Sequence, residues 1–178
     1  MPALGRKQYS IYFFCETKAE RTVRLTVYTD YALRLLMYLA VREDRLTTLS
    51  EVAASYGISR NHLMKVAYEL GAAGYIKTVR GRGGGLALAK ASKSIGLGDV
   101  VRCTEPDMAL VACFDPVDEP CTIRGCCVLR GALQHARDAF LEVLDGYSLA
   151  DLVAPRNRLR AMLAIAPSGK ARGMNHAR

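Results

Sequence analysis

Apolar positions fall into helical register from Val23 onward, and the register stops and restarts several times along the chain. After Val23-Arg-Leu-Thr-Val-Tyr-Thr-Asp30, Thr29 is placed to cap a helix with Asp30 in its first turn. Leu33, Leu36, Met37 and Ala40 then recur every three to four residues. Thr48-Leu-Ser-Glu51 has the spacing of a capping box, and Leu49, Val52 and Ala53 supply an apolar stripe behind it. Gly57 is placed to stop that helix. Ser59 is placed to cap the next, which carries Leu63, Val66, Ala67 and Leu70 and ends at Gly74. Two short helices joined by a glycine-containing turn predict a helix-turn-helix.

The period then changes from helical to alternating. Tyr75 to Arg80 is strand-like, Gly81-Arg-Gly-Gly-Gly85 is a glycine-rich tip, and Leu86-Ala-Leu88 returns as a strand. This predicts a hairpin wing. Lys90 to Gly98 connects to a short helix at Asp99–Cys103, and an irregular loop with prolines and cysteines follows from Glu105 to about Gly125. Leu129, Leu133, Ala136, Phe140 and Leu144 then predict a long helix with one apolar side. Ser148-Leu-Ala-Asp-Leu152 adds one more turn, and from Pro155 the pattern fades into a basic tail.

The expected fold is mostly α with a small β wing: a winged helix-turn-helix plus a long dimerisation helix. Its parts are a disordered leader at 1–22, a DNA-binding domain at 23–92, and a connector with a cluster-binding loop at 93–128. A dimerisation helix at 129–153 and a disordered basic tail at 154–178 complete it. Because the pattern begins at Val23, the native protein is expected to start there, valine being readable from a bacterial GTG start codon.

Half of the 178 residues are apolar (51%), yet no run approaches the ~20 needed to cross a membrane. Ile11 to Cys15 is too short for a signal sequence and has no small-residue cleavage site after it. The expected location is the cytoplasm, with no membrane partner.

Charge changes the picture more. The net charge is +8, and between Ile58 and Lys93 the cations Arg60, Lys65, Lys77, Arg80, Arg82, Lys90 and Lys93 face only Glu69. Glu105, Asp107, Asp115, Asp118 and Glu119 form an acidic stretch without a basic counterweight. A basic helix-turn-helix beside a glycine-rich wing points to double-stranded DNA. A recognition helix presents its first residues to base edges, here Ser59, Arg60, Asn61, His62 and Lys65. Arg60 suits guanine and Asn61 adenine. Arg80 and Arg82 are placed to reach a minor groove or phosphates, and the glycines around Arg82, Gly83 among them, allow close approach. A nucleotide-cradling loop is disfavoured, because no Gly-Lys-Ser/Thr ending occurs and a strand follows.

Four of six cysteines lie between Cys113 and Cys127. In a reducing compartment this favours metal or redox chemistry over disulfides. Seven residues separate Cys113 from Cys121 and five separate Cys121 from Cys127, so no paired zinc knuckle forms. A loop shaped by Pro116, Pro120 and Gly125 suits an iron–sulfur cluster or a set of inert thiols about equally. Cys103 is expected to be a small core residue and Cys15 falls in the leader. An enzyme is disfavoured, since the only histidines are His62, His135 and His176 and no C-x-x-C pair is present.

Several stretches resemble the iron–sulfur winged-helix repressor family that includes NsrR and IscR. They are Arg24-Leu-Thr-Val-Tyr-Thr-Asp-Tyr-Ala-Leu33, Val79-Arg-Gly-Arg-Gly-Gly-Gly-Leu86, Gly98-Asp-Val-Val101 and the triple-cysteine loop. The likeness runs from about Val23 to Val153. Tyr56 to Lys65, Cys121 to Cys127 and Tyr147 to Val153 point to the nitric-oxide-sensing branch. Where the IscR branch has a histidine ligand, this chain has Arg130.

The resemblance implies that Cys113, Cys121 and Cys127 hold one cluster per subunit, either 2Fe–2S or 4Fe–4S. Asp30 of the partner subunit is implied as a fourth ligand. A charge that merely complements the start of its helix is an equally good account of Asp30. The implied protein is a homodimeric repressor of a palindromic operator. It releases DNA in response to nitric oxide and controls nitric oxide detoxification genes. The alternative is an iron–sulfur or redox-responsive regulator of cluster biogenesis or thiol metabolism.

Overall fold

In the computed structural model, which describes residues 24–114 and 121–165, the first apolar stripe forms α1 (Val27–Val41). The expectations for the leader at 1–22 with Cys15, for loop residues 115–120 and for the tail beyond residue 165 lie outside the described residues. The cap of α1 is Thr26, whose hydroxyl accepts from the Thr29 amide at 3.2 Å, and not Thr29 as the pattern suggested. Thr29 is fully buried one turn in, where its hydroxyl donates to Thr104 Oγ1 at 2.9 Å. That distant partner removes the cost of burying it.

α2 (Leu49–Tyr56) opens on the expected Thr48/Glu51 capping box and stops at Gly57, whose φ of 65° is left-handed. α3 (Arg60–Ala72) follows after Ile58 and Ser59. The wing is β1 (Ile76–Val79) paired antiparallel with β2 (Gly85–Leu88), in the register Ile76↔Leu88 to Val79↔Gly85. Thr47 pairs with Leu86 on the other side of β2. α4 (Leu97–Thr104), α5 (Val128–Asp145), α6 (Leu149–Leu152) and α7 (Arg156–Met162) complete the order.

One core unites the helix-turn-helix with the rest. Leu35, Leu36 and Leu39 of α1 are buried with Val52, Leu63, Val66 and Leu70, and Ile76 and Leu86 of the wing join them. Ile95, Val100 and Leu149 close the far side. Each such aliphatic side chain contributes roughly 1.5–3 kcal/mol by leaving water. This is what holds the first face of α3 down and leaves the opposite face free.

Two expectations are corrected here. Cys103 is exposed rather than part of the core, because α4 turns Gly98, Val100, Val101 and Thr104 inward and Cys103 falls on the other side. The chain also stays ordered past Val153. α7 lies against α1, Leu163 and Ile165 are buried, and Arg156 and Arg160 both donate to the Val41 carbonyl. The basic residues that suggested a tail serve there as caps for the end of α1.

Candidate nucleic-acid interface and cysteine loop

α3 buries Leu63, Val66, Ala67 and Leu70, and this turns Arg60, Asn61, His62 and Lys65 outward, all exposed. Ser59 makes no side-chain cap bond, so its exposed hydroxyl stays available to a ligand. His62 stacks on Tyr31 of α1 with ring centroids 6.0 Å apart, which fixes the ring at the edge of the surface. Tyr28 donates to Glu69 at 2.9 Å, and burial followed by that carboxylate pushes its phenol pKa up. The phenol therefore remains a donor, and α1 pins α3 in its first turn at His62 and near its end at Glu69.

The exposed face holds two further residues that the sequence reading passed over. Tyr68 is 79% exposed and Met64 45%. Both share a face with Asn61 and Lys65, at offsets of three, four and seven residues. Counting outward from the buried stripe would have found them.

Arg80 and Arg82 are exposed at the wing tip, where Gly81 and Gly83 adopt φ of 101° and 81°. A side chain at Gly84 would collide with the Val79 carbonyl. The tip is thus tight and specific rather than a slack linker, and it projects two arginines from the same end of the hairpin. The rest of the basic segment separates from it. Lys77 and Lys90 do not join the tip; they line a concavity with Arg42 and Arg45 of the α1–α2 connection.

The loop cysteines gather in the segment that leads into α5. Cys113 is half-buried in a short helical turn, and the neighbouring Phe114 packs under the Arg137 guanidinium of α5 at 5.4 Å. Cys121 and Cys126 are exposed. The Cys121 carbonyl accepts from the Arg124 amide and that of Ile123 from the Cys126 amide, both at 3.0 Å. Two tight turns therefore lead into α5. Cys127 is the N-cap of α5, its Sγ accepting the Arg130 amide at 3.4 Å. The side-chain Nε of Arg130 is buried without a hydrogen-bond partner among the described residues.

In its chemistry this donor set fits a thiolate-held cluster: several thiols on one loop, one sulfur already receiving an N–H. Among the described residues no three His, Cys, Asp or Glu side chains are gathered closely enough to hold a metal ion. Asp30 is half-exposed on α1 and bonded to Arg34 at 2.9 Å, as an i, i+4 pair. His135 is exposed on α5.

α5 has eighteen residues and buries none of them. Val128, Leu129, Phe140 and Val143 are exposed by 85%, 66%, 42% and 63%. Its Leu133, Ala136 and Leu144 line, with Leu25, Met108 and Leu110, an apolar cavity of about 630 Å³. At its far end Asp145 takes two hydrogen bonds from Arg102 of α4, the first at 2.7 Å. α4 in turn meets α1, where Glu105 accepts from the Thr26 amide at 2.8 Å and Thr104 from Thr29. A continuous set of contacts thus runs from the cysteine-bearing helix to the recognition helix.

The family model of Rrf2, an iron-dependent transcriptional regulator, matches residues 25–155. The HTH-type transcriptional regulator NsrR of Halalkalibacterium halodurans is 47% identical over 146 residues, covering 82% of this chain and 100% of that protein. NsrR of Bacillus subtilis is 46% identical over 144 residues, covering 80% and 99%. Among solved structures, CymR, the global cysteine regulator of B. subtilis, matches with a TM-score of 0.62 at 27% identity, over 75% of this chain and 98% of CymR. IscR of T. potens shares the fold, with a TM-score of 0.62 at 23% identity over 78% of this chain and 91% of that one. These are regulators rather than enzymes, and no helix among the described residues is long and apolar enough to cross a membrane. The chain belongs to the Rrf2 family of transcriptional regulators and within it is NsrR-like.

Proposed function

We propose that this regulator is a cytoplasmic, homodimeric repressor whose hold on a palindromic operator depends on an iron–sulfur cluster and is released by nitric oxide. The observation that carries the reading is the position of Cys127. It caps α5, and the opposite end of α5 is tied through Arg102 and α4 to the helix that pins α3. Cys113, Cys121 and Cys127 would hold one 2Fe–2S or 4Fe–4S cluster per subunit, with Asp30 of the partner subunit as the fourth ligand. When bound, the cluster supplies iron that reacts with nitric oxide. The chain's own residues do the rest. The Arg130 amide donates to the Cys127 sulfur, and Arg102–Asp145 fixes α5 on α4. Tyr28–Glu69 and Tyr31–His62 set the attitude of the recognition helix.

On the DNA side, Arg60 and Asn61 would read base edges, with Ser59, His62 and Lys65 around them. Arg80, Arg82 and Gly83 would place the wing on the backbone or in the minor groove. The resemblance to NsrR supports control of nitric oxide detoxification genes. A second reading, a regulator of thiol metabolism or cluster biogenesis, is favoured by the likeness to CymR and by the exposed thiols of Cys121 and Cys126.

Cys121→Ala tests the proposal directly. Visible cluster absorbance and tight operator binding are expected to be lost together, with the fold kept. Tight operator binding by a variant that holds no iron would contradict the switch and favour the bare-thiol reading.

A further inference from the structure

Behind the wing, Arg42, Arg45, Lys77 and Lys90 converge on a concavity of about 440 Å³ that also holds Glu43 and the apolar side of Leu88. We infer that this concavity binds a small phosphate-bearing ligand, separately from the DNA surface. Arg42 and Arg45 come from the end of α1 and the connection to α2, Lys77 from β1, and Lys90 from just after β2. The carboxylates nearby are already engaged. Glu43 pairs with Arg156 at 3.2 Å, and Glu51 with Arg45. Lys90 lies over the Tyr75 ring at 5.1 Å, a contact that leaves its ammonium open to an anion. Arg42 Nε is buried and has no hydrogen-bond partner among the described residues.

The carbonyls at the end of α1 would ordinarily repel an anion. Here they are occupied. The Arg42 amide bonds the carbonyls of Tyr38 and Leu39, while Arg156 and Arg160 bond that of Val41. What remains is a pocket with two lysines and Arg42, whose outer nitrogen lies 3.9 Å from Glu51 and whose Nε has no hydrogen bond among the described residues, around an apolar side. That chemistry suits a phosphate dianion carrying a ring-sized body.

The operator is a poorer occupant. Lys77 pairs with Ala87, two strand pairs back from Val79↔Gly85 at the tip, or about 7 Å further from it. A concave pocket also fits a small ligand better than a duplex backbone.

The test titrates the full-length protein with inorganic phosphate and with adenosine monophosphate, followed by amide chemical shifts. A double variant, Lys77→Gln with Lys90→Gln, serves as the comparison. Saturable binding is expected, tighter for the monophosphate, with shifts at Arg42, Lys77 and Lys90. The double variant should bind about tenfold more weakly or less, while keeping its melting temperature. No saturation by either probe would overturn the inference, as would equal binding by the double variant. Weakened binding of long duplexes with no response to phosphate would assign the lysines to DNA, and would overturn it too. The outcome does not depend on whether a cluster is present.

Discussion

Arg82 occupies a position that only a glycine-rich tip could build. Gly81 and Gly83 take left-handed φ on either side of it, and Gly84 has no room for a side chain. The guanidinium is therefore presented by backbone geometry and not by a long flexible loop. Arg82→Ala should lower operator affinity by about tenfold or less, and reduce the salt dependence of binding by about one unit of slope. Duplex titrations at several ionic strengths measure both; an unchanged slope would take the wing off the phosphates. At this scale the sequence was informative wherever a residue answers to its neighbours. Thr48, Glu51 and Gly57 did what their local pattern implied. Thr29 and Cys103 did not, because their environments are set by Thr104 and by the face α4 presents to α1.

Helices report the same division between local and distant causes. The helix-turn-helix was legible because its stops and starts are local, and α5 because its stripe is long. α7 was missed because Leu163 and Ile165 are ordered by packing, and no period announces that. The cysteine loop was legible as a set of thiols but not as a ligand geometry, since sulfur positions depend on how the loop folds against α5. One element-level consequence is pH dependence. The Arg45 hydrogen bond, helped by those from Thr48, holds the Glu51 carboxyl down from 4.5 to about 2. A depressed carboxylate stabilises the fold above its unfolded value, and that contribution is lost as pH falls through the folded one. Melting temperature should therefore fall between pH 4.5 and about 2. Glu51→Gln should be less stable at neutral pH, and its profile should be flatter across that window. A parallel profile would mean that the capping box contributes nothing there.

The whole molecule joins two surfaces with different chemistry, a basic face on α3 and the wing and a thiol-rich end on α5. In the proposed reading, the exposed apolar side of α5 would supply what a pair of half-sites requires, a two-fold partner. Val143→Asp, at a position 63% exposed in the single chain, should convert a dimer to a monomer in sedimentation and weaken binding to the full palindrome. A dimer that survives would place the interface elsewhere. The central claim is that cluster and operator affinity are linked, and one titration reaches it. The protein is purified without oxygen, assayed for iron and sulfide, and mixed with its operator while nitric oxide is added in steps. The account predicts iron and sulfide in each subunit and loss of operator binding in proportion to nitric oxide added. Protein that binds its operator equally with and without iron, and is indifferent to nitric oxide, would contradict it.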